Sequence, residues 1–241
     1  MHPRMREDPD VPPSENRSPL PALIPFLIVS GVHLAGHLAS FEPLALATKP
    51  LLIPLLAGAV LWLSRGRRSS GVILLLAALL FSWLGDLALL GDGDSWFLIG
   101  LGCFLVAHLG YVALFSSRVG SGKPAVWSVV YAAWFALLLV ILVPHLGGML
   151  APVVGYGLVI CTMAAIATRC GWMVSLGAAL FLLSDSILAV NAFVDAADIP
   201  VAGFLVMLTY LSGQGFIAIG IVRLLGSARR TEPVAVGSDT R

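Results

Sequence analysis

Long apolar stretches dominate this 241-residue chain. A helix crossing the roughly 30 Å hydrocarbon layer of a bilayer needs about 20 mainly apolar residues. On that scale the sequence predicts spans at 19–39, 44–64, 71–91, 95–116, 126–143, 151–169, 174–194 and 201–225. The predicted fold class is therefore all-α: a polytopic membrane protein with eight transmembrane helices. Composition agrees, since charged residues make up 11% of the chain against about 25% in a soluble domain. Disorder, collagen, a disulfide scaffold and a cytosolic enzyme are excluded. A net charge of +1 leaves no basic field for nucleic acid. Cys103, Cys161 and Cys170 lack metal-ligand spacing and read as small buried apolar residues.

Residues 1–18 are polar and proline-rich and read as a disordered tail, residues 19–226 as the membrane domain, and residues 227–241 as a second tail. Orientation follows from the basic residues. Arg4, Arg6 and Arg17 precede span 1, and Arg65, Arg67 and Arg68 lie between spans 2 and 3. Arg118 and Lys123 follow span 4, Arg169 marks the turn after span 6, and Arg223, Arg229, Arg230 and Arg241 close the chain. Every basic residue but Lys49 thus falls on one side, while Glu42, Asp92, Asp94, Asp195 and Asp198 mark the other. An integral protein of the cell (inner) membrane with both termini cytoplasmic is expected.

Spans 3 and 7 run in the same direction and carry similar runs, Leu84-Gly85-Asp86-Leu87 and Leu183-Ser184-Asp185-Ser186. The helices that follow carry Phe104-Leu105-Val106 and Phe204-Leu205-Val206, with Tyr111 and Tyr210 downstream. Two parallel four-helix halves would account for this, with Asp86 and Asp185 as counterparts; chance matches among apolar residues are the alternative.

Ionisable residues inside spans face the bundle interior, and a functional role is their default reading. At about 1.5 Å per residue, Asp86 and Lys49 lie roughly 22 Å above the cytoplasmic boundary, His33 about 21 Å, and Asp185 and Tyr210 about 17 Å. Five helices thus bring polar groups to one layer in the outer half of the membrane. Helical spacing adds Ser82 beside Asp86, His108 beside Tyr111, and Gln214 beside Tyr210, with Asn191 two turns beyond Ser184. One carboxyl in an apolar wall stays protonated while the other, paired with Lys49, stays ionised, an arrangement suited to acid–base chemistry. The bland readings are a buried network that fixes helix packing, a snorkelling Lys49, an interfacial Tyr111, and Asn191, Tyr210 and Gln214 as interhelical glue.

His33 and His37 have the spacing of a metal-ligating pair, but no glutamate follows His33 and a third ligand would have to come from another helix. Gly91-Asp92-Gly93-Asp94 looks like a fragment of a calcium loop without its remaining ligands, and reads as a tight turn.

Phe81-Ser82 with Gly85-Asp86, Phe104…His108…Tyr111 in span 4, Ser184-Asp185 in span 7, Tyr210…Gln214 in span 8 and Lys49-Pro50 in span 2 together resemble the YhhN family. That family includes eight-helix lysoplasmalogenases of animals and bacteria. The resemblance covers spans 2 to 8, so it adds nothing to His33 and His37. It implies hydrolysis of the vinyl ether bond of lysoplasmalogens, releasing a fatty aldehyde and a glycerophospho-ethanolamine or -choline. It also implies that Asp86 and Asp185 are the family's paired aspartates and the catalytic candidates. Lys49, Ser82, His108, Tyr111, Ser184, Asn191, Tyr210 and Gln214 are then the substrate-binding candidates, and no metal or organic cofactor is required.

The chemistry fits the reading of the residues. Protonation of an enol ether by a carboxylic acid gives an oxocarbenium ion, to which water adds, much as in glycoside hydrolysis between two carboxyl groups. Asp185, the deeper of the two, is expected as the acid and Asp86 as its ionised partner. The expected partners are a single-chain ether phospholipid and the bilayer, with the oligomeric state open. The alternative is a proton-coupled transporter or a lipid-binding membrane protein without hydrolytic activity. Transport predicts broken helices, and spans 3 and 7 carry no internal proline, although span 2 has Pro50 and Pro54. An intramembrane aspartyl protease would need Gly-x-Gly-Asp, where this chain has Trp83-Leu84-Gly85-Asp86.

Overall fold

The computed structural model describes residues 19–65, 69–194, 196, 197 and 199–228. Among them eight α-helices form and no strand: α1 (Leu20–Leu38), α2 (Glu42–Leu63), α3 (Ser70–Ala88), α4 (Asp94–Leu114), α5 (Val130–Leu146), α6 (Leu150–Ala167), α7 (Trp172–Phe193) and α8 (Ala202–Ala228). Their bounds fall within about four residues of those expected from apolar length. The largest difference is the start of α5, and the end of α8 carries that helix past the expected boundary at 226. The N-terminal tail, Arg67, Arg68, Asp195, Asp198, Arg229, Arg230 and Arg241 lie outside the described residues.

Seven helical stretches among the described residues are long and apolar enough to cross a membrane. α5 and α6 count together because a short 3-10 turn, Gly147–Met149, joins them within Val126–Cys170. As one rod those 45 residues would measure about 68 Å, over twice the hydrocarbon thickness. The chain instead turns at Gly147, whose φ of +47° favours glycine, and α6 packs back against α5.

Consecutive helices pair as α1 with α2, α3 with α4 and α7 with α8, while α6 fits between α4, α5 and α7. α8 also touches α1, α2 and α3 and so sits at the centre. Its crossing with α7 is close: a Cβ on Gly177 would lie 2.7 Å from the Gly213 carbonyl oxygen. Small residues that let backbones meet are how helices associate where lipid offers no hydrophobic drive. Leu52, Leu56, Leu75, Leu79, Phe181 and Ile217 are fully buried in the shared core, whereas Leu27, Ile73, Val140 and Trp172 face outward. That outward apolar surface is the one a bilayer would cover.

Two local devices bear on the site. Pro54 has no N–H to offer the carbonyl four residues earlier, so the Pro50 oxygen loses its helical donor. The Trp83 indole supplies one at 2.8 Å, fastening α2 beside Lys49 to α3 beside Asp86. At the opposite end, the segment after α4 meets the turn after α6 through Ala125 N–H to Thr168 Oγ1 at 3.0 Å, and Arg223 reaches the Met173 sulfur. Lys123, Arg169 and Arg223 therefore belong to one end of the bundle, and the Gly91–Asp94 turn to the other.

Candidate active site

A cavity of about 420 Å³ lies at the end opposite those basic residues. Its size falls within the range usual for small-molecule sites. α4 contributes Phe97, Leu101 and Phe104, α6 contributes Val153 and Tyr156, and α7 contributes Leu188, Ala189, Ala192 and Phe193. Into these apolar walls project Lys49 from α2, Asp86 from α3, Asp185 from α7 and Tyr210 from α8. Four side chains singled out by their depth in the sequence thus meet around one space.

Each aspartate is held by a phenol. Tyr210 donates its hydroxyl to Asp86 Oδ2 at 2.7 Å. Tyr156 donates to Asp185 Oδ2. Asp86 is almost sealed, at 3% exposure, whereas Asp185 is half-buried and more open to the cavity. Lys49 lies within electrostatic reach of Asp86, and the two carboxyl groups lie within reach of each other. The phenols are braced by aromatic edges: Phe181 meets Tyr210 at 5.2 Å between ring centroids and His108 at 4.6 Å, and His108 meets Tyr156 at 5.4 Å.

Four other predicted residues are buried behind the cavity rather than in its wall. Tyr111 donates to Gln214 Oε1 at 2.6 Å, with Ser82 beside the same hydroxyl. His108 donates through Nδ1 to the Phe104 carbonyl at 2.6 Å, since a carbonyl can only accept. Ser184 borders the cavity, but its hydroxyl is committed to the Val206 carbonyl at 3.0 Å and ties α7 to α8. Asn191 departs from expectation: it is exposed and does not line the cavity. The cavity-facing positions of α7 near its end are Leu188, Ala189, Ala192 and Phe193, and Asn191 sits about 100° around the helix from Ala192.

Tyr156 is the residue the sequence reading missed. A phenol stands there inside an otherwise apolar span at a height near that of Asp185, but height alone does not say that it faces that carboxyl. The two aspartates do not take the matching partners that the expected repeat implies: Tyr210 serves Asp86, while Tyr111, at the corresponding sequence position, bonds Gln214 and leaves Asp185 to Tyr156. His33 is buried on α1 with Nδ1 against Thr48 Oγ1 at 2.8 Å, and does not line the cavity. Its ring meets His37 edge-on, and no group of three potential metal ligands occurs among the described residues. The Gly91–Asp94 turn, read as no more than a turn, borders the cavity mouth.

Residues 44–221 match the YhhN family. The chain belongs to that family. Among curated proteins it is similar to lysoplasmalogenase TMEM86B of Rattus norvegicus, 28% identical over 209 residues that cover 85% of each chain. It is 33% identical over 151 residues to lysoplasmalogenase TMEM86B of Homo sapiens, covering 62% of this chain and 64% of that one. Lysoplasmalogenase TMEM86A of Homo sapiens is 26% identical over 227 residues, 84% of this chain and 89% of its own. No solved structure matches the chain. The family match spans both aspartates, both phenols and Lys49, and stops short of α1, which carries His33 and His37.

Proposed function

We propose that this protein is a membrane-embedded lysoplasmalogenase that cleaves the vinyl ether bond of a single-chain alkenyl phospholipid. One observation carries the reading: two carboxyl groups, each held by a tyrosine, border a single apolar-walled cavity. The relatives' activity agrees with it.

In this reading the alkenyl chain lies along the apolar wall and its ether linkage sits between the aspartates. Asp185, the more accessible group, gives its proton to the vinyl carbon one removed from the ether oxygen, and the π pair forms the new C–H bond. The resulting oxocarbenium ion is stabilised by the Asp86 carboxylate, which also takes a proton from the water that adds to the cationic carbon. The hemiacetal then collapses: its C–O bond to glycerol breaks, its hydroxyl proton passes to the departing oxygen, and a fatty aldehyde remains. Proton return from Asp86 to Asp185 through solvent resets the pair. Tyr156 and Tyr210 orient the carboxyl groups. Ser82, His108, Tyr111 and Gln214 act from behind as positioning residues.

The accompanying topology has eight crossings, with α5 and α6 as separate spans and both termini cytoplasmic. The basic end is then cytoplasmic, and the cavity opens on the opposite face. The test is aldehyde release from a lysoplasmalogen by the detergent-purified protein, beside Asp86→Asn and with a diacyl lipid as control. Aldehyde from the wild type alone supports the reading. None from folded wild type, with either headgroup and across pH, refutes it.

A further inference from the structure

Resting on that function for its catalytic consequence, we infer that α1 belongs to the active site: His33 is a positioning residue that fixes Lys49 through Thr48, opposite the Trp83 fastening. Lys49 needs such support. No described residue hydrogen-bonds its ammonium, so the α2 backbone aims it into the cavity. That backbone is weak at this point, because Pro50 and Pro54 lack the N–H groups that the Leu46 and Pro50 carbonyls would take. The Thr48 hydroxyl adds to the distortion by bonding the Leu44 carbonyl at 2.7 Å, a back-bond that bends helices. Lys49 therefore sits on a turn that the helical ladder does not hold, yet it must keep its place beside Asp86.

Two neighbouring helices supply what the ladder lacks. Trp83 on α3 bonds the Pro50 carbonyl at 2.8 Å. On α1, His33 meets Thr48 Oγ1 through Nδ1 at 2.8 Å. Since Thr48 gives its proton to Leu44, the imidazole is the donor and Nε2 is left as an acceptor. Thr48 and Pro50 are two residues apart, about 200° around the helix, so the two bonds grip α2 from opposite faces with Lys49 between them. His33 is itself held. It is fully buried, the His37 ring meets it edge-on at 4.8 Å between centroids, and His37 lies against α8, where a Cβ on Gly203 would be 2.8 Å from its Nδ1. His33 Nε2 has no partner among the described residues, and Lys49 is within electrostatic reach of both imidazoles. A neutral acceptor tolerates an ammonium nearby, where a second cation would displace it. The α1 half of this clamp lies before residue 44, where the family match begins.

Lysine occurs only at positions 49 and 123, so Lys49 can be followed alone once the exposed Lys123 is changed to arginine. Reductive methylation with isotope-labelled formaldehyde keeps the lysine charge and gives a methyl resonance that needs no substrate. The spectrum would be recorded on the whole Lys123→Arg protein in detergent, with Lys49→Arg identifying the signal. His33→Leu and Thr48→Val should each move that resonance, and together move it no further than either alone. His33→Asn, whose amide can still donate to Thr48, should leave it in place. An unmoved resonance in folded Thr48→Val, an isosteric change, overturns the clamp. In aldehyde release, His33→Leu and Thr48→Val should each lower kcat about 2–10-fold, the worth of one hydrogen bond, and His33→Asn should restore it. In a Lys49→Met background neither should lower it further, and full additivity there also overturns the inference. The expected resonance shifts in a protein that releases no aldehyde would sink the hydrolase reading and leave the clamp standing.

Discussion

The two aspartates occupy different surroundings although each is held by one tyrosine. Asp86 is sealed where α3 meets α8, with Lys49 alongside and the buried Tyr111–Gln214 pair one turn below. Asp185, on α7, is more open to the cavity, and the tyrosine that holds it comes from α6 with the His108 ring against it. Dividing acid and base roles between like groups requires unlike environments, and here helix packing supplies them. An exact two-fold arrangement would have made the carboxyl groups equivalent. The departure from the repeat at Tyr156 leaves the two carboxyl groups unlike, and on the proposed mechanism that difference separates the proton donor from the group that steadies charge.

The largest test of that inequality is the aspartate pair itself. Asp86→Asn and Asp185→Asn should each lower aldehyde release by about 10²–10⁴-fold, the usual worth of a positioned acid or base. The residual activities should differ in pH dependence. A base must be ionised, so wild-type activity falls in acid, and Asp86→Asn should lose that acidic limb while Asp185→Asn keeps it. The opposite pattern would exchange the two roles.

Next in size are the phenols. Removing a hydrogen bond to an ionisable group costs about 1.5–3 kcal/mol, or roughly 10–150-fold in rate if it is expressed in the transition state. Tyr156→Phe and Tyr210→Phe should both fall in that interval in kcat, whereas Tyr111→Phe, whose hydroxyl meets Gln214 instead, should act mainly on thermal stability. A Tyr111→Phe loss as large as that of Tyr156→Phe would restore the symmetric wiring suggested by the repeat.

Much of this arrangement was legible in the sequence, and the rest was hidden for identifiable reasons. Helix limits follow from apolar length, and turning residues such as Gly147 are visible by type. The convergence of Lys49, Asp86, Asp185 and Tyr210 follows from counting residues along alternating spans, because height depends only on rise per residue. Lateral position is different. Helices that are apolar on every side carry no amphipathic stripe to say which face meets which neighbour. Hence the lodging of α6 between α4 and α7, and with it the Tyr156 bond to Asp185, left little trace. Asn191 shows the same limit: its spacing along α7 from Ser184 does not say which way it points, and it is exposed. The Gly91–Asp94 segment is legible as a turn from its residue types, while its place at the cavity mouth depends on how α3, α4 and α7 enclose that space.

The smallest expected effect bears on how the two centres are held relative to each other. Asp185 rides on α7 and Tyr210 on α8, and their offset is set where Gly177 meets Gly213. A Cβ on Gly213 would lie 2.8 Å from the Gly177 carbonyl oxygen and 3.0 Å from the Phe181 nitrogen, so backbone must give way. Gly213→Ala should therefore cost about 1–3 kcal/mol of stability, the usual cost of overpacking, read as earlier thermal unfolding in detergent. Gly155→Ala is the matched comparison: nothing lies within 4 Å of its would-be Cβ, and alanine favours helix over glycine by about 1 kcal/mol. It should be neutral or mildly stabilising. Because α7 must move away from α8, Gly213→Ala should also lower kcat more than it raises KM, since the carboxyl groups separate while the apolar wall persists. If it unfolds earlier yet turns over at the wild-type rate, the two aspartate centres do not depend on the α7–α8 contact for their alignment.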